Sequence, residues 1–143
     1  MTSISPPPLF SEVVDEDNKL TLPFNLYMNQ LYVGDTGTSW TPTFVNLAST
    51  GTPTFTGRYY RLSSKLCYFR VVITPVTDTT ATAGSTYIDN FPLTIGADGA
   101  CHAVEGNLGS NAGMVVKAGN RIYVPGWAAV AVPVTITGTV EIA

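Results

Sequence analysis

The chain has 143 residues, of which 45% are hydrophobic and only 12% are charged, and its net charge is −3. This length fits one domain, and the hydrophobic content excludes intrinsic disorder, which requires low hydrophobicity and high charge. The acidic balance argues against nucleic acid as a partner, because nucleic acids are held mainly by Lys and Arg. No segment resembles a signal peptide or an 18-residue apolar span, so we expect a protein that is made in the cytoplasm and not inserted in a membrane.

Residues 1–22 are predicted to form an extended arm. Residues 5–8 read Ser-Pro-Pro-Pro, which favours a stiff polyproline conformation. Four apolar residues follow, in a stretch too rich in Pro and acidic residues to form a core of its own. Each would gain roughly 1.5–3 kcal/mol on full burial. We therefore expect them to bind a neighbouring protein: Leu9, Phe10, Val13 and Val14.

A single short helix is predicted over Pro23–Val33. Proline suits the first turn of a helix, and Gly34 suits the position after its end. Apolar residues recur at helical spacing and form one stripe, which includes Phe24, Tyr27, Met28 and Leu31. A helix of this length needs a packing partner. Residues 1–34 are therefore predicted to be a region of attachment and oligomerisation.

Residues 35–143 show the pattern of many short strands separated by Gly- and Pro-rich turns. The predicted strands are Trp40–Leu47, Thr54–Leu62, Lys65–Thr74, Tyr87–Ile88, Pro92–Ile95, Ala100–Glu105, Gly113–Lys117, Arg121–Val124 and Val132–Ile142. Ser63-Ser64 is predicted to be a two-residue hairpin turn, and Thr77–Ser85 a loop. This spacing indicates a mainly β domain, an antiparallel β-sandwich of jelly-roll type.

Alternation within the strands predicts which residues face the core. In Lys65–Thr74 the inward set is Cys67, Phe69, Val71 and Ile73. Cys101 also lies among β-forming residues. The two cysteines are either buried thiols or a disulfide, and two cysteines alone do not decide between them.

The sequence offers no convincing catalytic or metal site, and no cofactor is expected. His102 is the sole histidine, and its neighbour Cys101 points to the opposite face of a strand, so the two cannot form a nucleophile–base pair. Asp89, Asp98 and Glu105 could supply the two carboxylates of a glycosidase, although such residues are common in turns. Aromatic residues are the better candidates, either as core or for recognition of a sugar or a protein: Trp40, Tyr59 and Trp127.

Five segments occur in an order that resembles a known group of proteins: residues 40–42 (Trp-Thr-Pro), 57–62, 82–88, 121–127 and 134–139. Together they look like the β-sandwich domains of tailed-bacteriophage virion proteins, namely tail fibres, head fibres and capsid decoration proteins. The resemblance covers roughly residues 35–143. It implies a jelly roll that commonly trimerises, and it carries over no catalytic residue.

Two functions follow as expectations. In the first, the protein is a virion structural subunit that the arm and helix attach to a capsid or tail protein. In the second, the sandwich is a receptor-binding tip that recognises a host surface glycan or protein. Low charge and the lack of a catalytic site favour the first, while the aromatic residues keep the second open.

Overall fold

The computed structural model describes residues 37–106 and 110–143. The predicted arm and the predicted helix Pro23–Val33 lie outside the described residues. The described part contains no helix and forms these strands: β1 Thr38–Trp40, β2 Phe44–Val45, β3 Ala48–Thr50, β4 Thr54–Arg61, β5 Leu66–Thr74, β6 Asp78–Ala81, β7 Tyr87–Ile88, β8 Gly99–Glu105, β9 Ser110–Val116, β10 Arg121–Tyr123, β11 Trp127–Val130 and β12 Val134–Glu141.

Nine of these strands form one antiparallel sheet in the order β1-β4-β5-β12-β8-β9-β10-β7-β2. The longest pairings, of eight residue pairs each, join β5 to β4 on one side and to β12 on the other, and β12 pairs in turn with β8. The remaining strands form a small sheet in the order β11-β6-β3. The predicted mainly β, antiparallel, sandwich-like fold is confirmed.

The large sheet is strongly curled. Laid flat, nine strands would place β1 and β2 roughly 38 Å apart at the two edges. Yet these strands are joined by Thr41–Thr43 alone, and the step from Trp40 to Phe44 can span at most roughly 14 Å. Asn90 holds this connector, because its side chain donates to the carbonyl of Thr41 at 2.9 Å and accepts from the Thr43 amide at 2.8 Å. The two edges of the sheet are therefore close together.

The core lies on the concave side of this curled sheet and under the small sheet. The inward positions of β5 are all fully buried, as the alternation predicted: Cys67, Phe69, Val71 and Ile73. The corresponding positions of β12 are also buried and face them across the strand pair, with Val134 opposite Ile73 and Ile136 opposite Val71. Gly138 leaves room for the Phe69 ring, since a Cβ there would lie 2.7 Å from that ring.

Several predicted boundaries are wrong. Trp40–Leu47 is not one strand, because the connector at Pro42 separates β1 from β2. Thr77–Ser85 is not a loop throughout, since β6 occupies Asp78–Ala81 and Thr79 is fully buried. Of Pro92–Ile95, only Ile95 forms a bridge, with Ile142.

The β4–β5 connection also differs from the predicted two-residue turn. Arg61 is paired with Cys67, and the Leu62 amide donates to the carbonyl of Leu66 at 2.9 Å. The predicted turn would have placed Tyr60 opposite Cys67, whereas the structure places it opposite Tyr68. This shift of one residue decides which side chains of β4 face outward.

Candidate interaction surface

The aromatic residues singled out from the sequence are largely internal. Trp40 and Tyr59 are half-buried with ring centroids 6.0 Å apart, and Trp40 meets Phe91 edge-on at 5.7 Å. Trp127 lies on β11 of the small sheet and is 5% exposed. The structure therefore brings Trp40 and Tyr59 together against the core and places Trp127 in a different sheet. The predicted binding residues of the arm and helix, residues 9–31, lie outside the described residues.

The cysteines are buried thiols and do not form a disulfide. Burial raises the pKa of Cys101 from the ordinary 9.0 to about 11, although a backbone hydrogen bond to Gly113 opposes this rise. His102, the next residue, is exposed on the other face of β8. Cys101 therefore has neither an adjacent base nor the lowered pKa that a nucleophilic cysteine requires.

Of the three carboxylates considered for glycoside hydrolysis, Asp89 is exposed, and the other two accept hydrogen bonds and lie far apart. Asp98 accepts a hydrogen bond from the Lys117 amide at 2.7 Å, and Glu105 accepts one from Asn111 at 2.9 Å. These two residues lie at opposite ends of β8, roughly 23 Å apart along an extended strand. Paired catalytic carboxylates are at most about 9.5 Å apart. Within the described ranges, no group of three His, Cys, Asp or Glu residues could hold a metal ion.

The outer face of the large sheet carries the most distinctive surface feature, a continuous row of uncharged residues that we call the tyrosine row. Each member lies opposite the next one on the neighbouring strand, across eight strands. The step from Thr139 of β12 to Ala100 of β8 lies one position beyond the last ladder pair, Gly138 with Cys101. Its members, in strand order, are Tyr60, Tyr68, Thr139, Ala100, Met114, Tyr123, Tyr87 and Val45.

The four tyrosines form two separate pairs within this row. Tyr60 and Tyr68 have ring centroids 5.8 Å apart on the β4–β5 hairpin. Tyr87 and Tyr123 are 5.1 Å apart on β7 and β10. All four are partly exposed, and Met114, the neighbour of Tyr123, is 52% exposed. We call Tyr87, Met114 and Tyr123 the tyrosine–methionine patch.

An arginine stabilises the tyrosine–methionine patch. The guanidinium carbon of Arg121 lies 4.5 Å from the centre of the Tyr87 ring, and Arg121 donates to the Tyr123 hydroxyl at 3.4 Å. The hydrogen bond to Tyr123 and the field of Tyr87 raise the Arg121 pKa. Arg121 thereby fixes two aromatic rings on the outside of the sheet, where they offer a rigid contact area.

Sequence reasoning missed this surface because its members come from eight strands, most of them distant in sequence. Part of it could have been predicted from the spacing of Tyr60 and Tyr68 on either side of the hairpin turn, if the turn had been predicted with the correct register. Comparison with known proteins adds no family: neither family models, curated proteins nor solved structures show a significant match to the chain. In the part of the chain that the structure describes, no helix is long and apolar enough to cross a membrane.

Proposed function

We propose that this chain is a non-enzymatic structural subunit of a bacteriophage virion, a capsid decoration or cement protein or a short fibre or adaptor subunit. The observation that carries the proposal is the tyrosine–methionine patch on the outer face of the sheet. Exposed Tyr, Met and Arg side chains are enriched in protein–protein interfaces. The ordered segments that resemble phage β-sandwich proteins supply the virion context.

The patch is proposed to join copies of the chain. Tyr87, Met114 and Tyr123 form a group of uncharged side chains, held in place by Arg121, that offers aromatic and apolar contact area to another protein surface. Closed cyclic symmetry is the usual way in which identical subunits cover such a surface. Because the chain resembles phage fibre and decoration domains, we propose three-fold symmetry, so that the assembly is a homotrimer.

The N-terminal arm is proposed to attach this assembly to a capsid or tail protein through Leu9, Phe10, Val13 and Val14. A trimer would present three such arms at a high effective concentration. Three weak contacts made together can bind far more tightly than one. The stripe of the predicted helix, Phe24, Tyr27, Met28 and Leu31, would add contacts within the assembly.

Light scattering at micromolar concentration tests self-association. We expect a mass near three times 15.2 kDa, and we expect Met114→Ser with Tyr123→Ser to shift it toward the monomer. Val76→Ser is the matched control, because Val76 is 70% exposed and lies outside the patch. A wild-type mass near 15.2 kDa would overturn the trimer.

The virion location needs a separate test. Mass spectrometry and cryo-electron microscopy of intact particles, from the phage that encodes the chain, should find it at fixed copy number on the capsid or tail. Its absence from purified particles contradicts the structural role whatever the oligomeric state proves to be.

A receptor-binding tip is the second candidate, and the partly exposed tyrosine pairs favour it because such rings also contact sugars and proteins on cell surfaces. In this case a Tyr68→Ser variant keeps its place in the particle while the particle loses adsorption to host cells. If the role is structural, particles that contain the variant adsorb to host cells as wild-type particles do.

A further inference from the structure

The strands at the β2 end of the large sheet are held by its shortest ladders. β7 is hydrogen-bonded to β10 over two residue pairs and to β2 over two more. Tyr87 of β7 lies directly opposite Tyr123 of β10. Residues directly opposite each other on antiparallel strands have Cβ atoms about 4.5–5.5 Å apart on the same face of the sheet. The pairing of these two short strands therefore places two phenol rings side by side on the outer face.

The two rings are close together, held in position and accessible. Their centroids lie 5.1 Å apart with an angle of 45° between the ring planes, and both side chains are partly exposed. The guanidinium carbon of Arg121 lies 4.5 Å from the centre of the Tyr87 ring, and its Nη1 donates to the Tyr123 hydroxyl at 3.4 Å. Groups that are held in a fixed relative position react with each other far more readily than with molecules in solution.

Neighbouring phenols can be joined by a one-electron oxidant. Each phenol first loses one electron and its hydroxyl proton and becomes a phenoxyl radical. The two radicals then form a carbon–carbon bond between ring carbons that lie beside the hydroxyl positions. Each of these carbons gives up its hydrogen through water, which restores both hydroxyl groups. The product is dityrosine, with two hydrogen atoms fewer than two tyrosines. One hydrogen peroxide that takes up the two electrons and two protons becomes two waters.

We propose that Tyr87 and Tyr123 are a site of oxidative modification, at which a peroxidase-type oxidant joins β7 to β10 through a dityrosine link. Such a link closes a loop between residues 87 and 123. A covalent bond across a loop restricts the unfolded chain, as a disulfide does, and so stabilises the folded domain. The link acts at the end of the sheet where the ladders are shortest. It forms within one chain and does not rest on the proposed self-association.

The other tyrosine pair of the row is less available for this reaction. Tyr60 and Tyr68 have ring centroids 5.8 Å apart. Cε1 of Tyr60, one of its two carbons that could form the link, lies 2.6 Å from the position that a Cβ on Gly37 would occupy. The backbone at Gly37 therefore packs close to this carbon. We expect Tyr87 and Tyr123 to react first, and Tyr60 with Tyr68 is the comparison within the same molecule.

Oxidation of the folded, full chain tests the proposal. The chain is treated with a peroxidase and hydrogen peroxide at nanomolar concentration, which favours separate subunits, and is then unfolded and digested with trypsin. Trypsin cleaves after Lys and Arg, so Tyr87 and Tyr123 fall on two different peptides, residues 71–117 and 122–143. We expect mass spectrometry to find these peptides joined, with the loss of two hydrogen atoms. The undigested product should migrate as a single chain on a denaturing gel.

Two variants assign the link. Tyr123→Phe keeps the ring but cannot form a phenoxyl radical, so the joined peptides should be lost. Tyr68→Phe is the matched control and should give the joined peptides as the wild type does. Oxidation should move the midpoint of urea unfolding to a higher urea concentration in the wild type and in Tyr68→Phe, and should leave it unchanged in Tyr123→Phe.

Three results overturn the proposal. The first is the absence of joined peptides 71–117 and 122–143 from the oxidised folded chain. The second is an equal yield of them when the chain is oxidised in concentrated urea, since an unfolded chain does not hold the two rings together. The third is a higher yield of the link between Tyr60 and Tyr68, whose tryptic peptides are residues 59–61 and 66–70. An unchanged urea midpoint in the linked wild type contradicts the stabilising role.

Discussion

Phe44 and Phe55 have ring centroids 4.9 Å apart, although Phe44 lies on the last strand of the nine-stranded sheet and Phe55 on the second. No hydrogen-bonded ladder joins β2 to β4. The curl of the sheet therefore brings the two rings into contact. The short connector that Asn90 holds keeps β1 and β2 close together. Side-chain contacts therefore stabilise the domain between the two edges of the sheet, where a closed barrel would have backbone hydrogen bonds.

A double-mutant cycle of Phe44→Leu and Phe55→Leu measures this contact. We expect a coupling free energy of about 0.5–1.5 kcal/mol, the usual value for a tilted aromatic pair, from urea unfolding of the four proteins. A second cycle that combines Phe44→Leu with Tyr60→Leu is the control, because Tyr60 points to the outer face. Equal coupling in both cycles would show that Phe44 and Phe55 do not interact directly.

Asn120 is predicted to stabilise the domain through its side chain and its backbone conformation. Its backbone φ is +57°. Its side-chain Nδ2 donates to the carbonyls of Phe91 and Leu93, and its Oδ1 accepts from the Ile95 amide at 2.7 Å. Asn120→Gly keeps the backbone and should cost about 1–3 kcal/mol through the lost hydrogen bonds. Asn120→Ala should cost about 1–2 kcal/mol more, because a Cβ disfavours positive φ.

Urea unfolding of these two variants separates the contributions, and Asn46→Gly is the control. Asn46 has a φ of +58°, but its side-chain hydrogen bonds to Ser85 are exposed to solvent. Its replacement by glycine should cost less than about 1 kcal/mol, because water can replace these hydrogen bonds and glycine adopts positive φ readily. Equal losses in Asn120→Gly and Asn46→Gly would mean that the partly buried hydrogen bonds of Asn120 contribute little.

Cys101 should make the domain less stable at alkaline pH. Its pKa is raised to about 11 in the folded protein, while an unfolded thiol ionises near 9.0. Ionisation then favours the unfolded chain, so the stabilisation is complete below pH 9 and is lost as the pH rises to 11. The loss amounts to about 2–3 kcal/mol. Cys101→Ala should therefore show a shallower decline in unfolding free energy between pH 8 and 11, and parallel curves for the two proteins would contradict this.

Deleting residues 1–22 should separate attachment from folding. We expect the far-ultraviolet circular dichroism of a β protein to persist, and incorporation into phage particles to be lost, because Leu9, Phe10, Val13 and Val14 are gone. A full-length variant with serine at these four positions controls for chain length and should fail in the same way. Normal incorporation of either variant refutes the anchoring role of the arm.

The sequence predicted the class of fold and much of the core, because inward and outward residues alternate clearly in β5 and β12. It failed where long-range pairing overrides local pattern. The polar residues of β6 are typical of a loop, yet β6 is a strand because it lies between β3 and β11. The tyrosine row required the register of Tyr60 with Tyr68, and the predicted two-residue turn would have turned Tyr60 toward the core. The register across eight strands cannot be predicted from any single segment.

The place of β12 between β5 and β8 has a consequence for synthesis in the cell. Glu141 follows Thr74 by 67 residues, so at 5–20 residues per second a ribosome needs roughly 3–13 s to make β12 after it has made β5. During that interval one edge of β5 has no partner, and Phe69, Val71 and Ile73 have no opposing strand to pack beside. Until β12 is made, this edge of β5 is therefore open to pairing with another chain, and a slower codon run within residues 75–133 should lengthen that exposure.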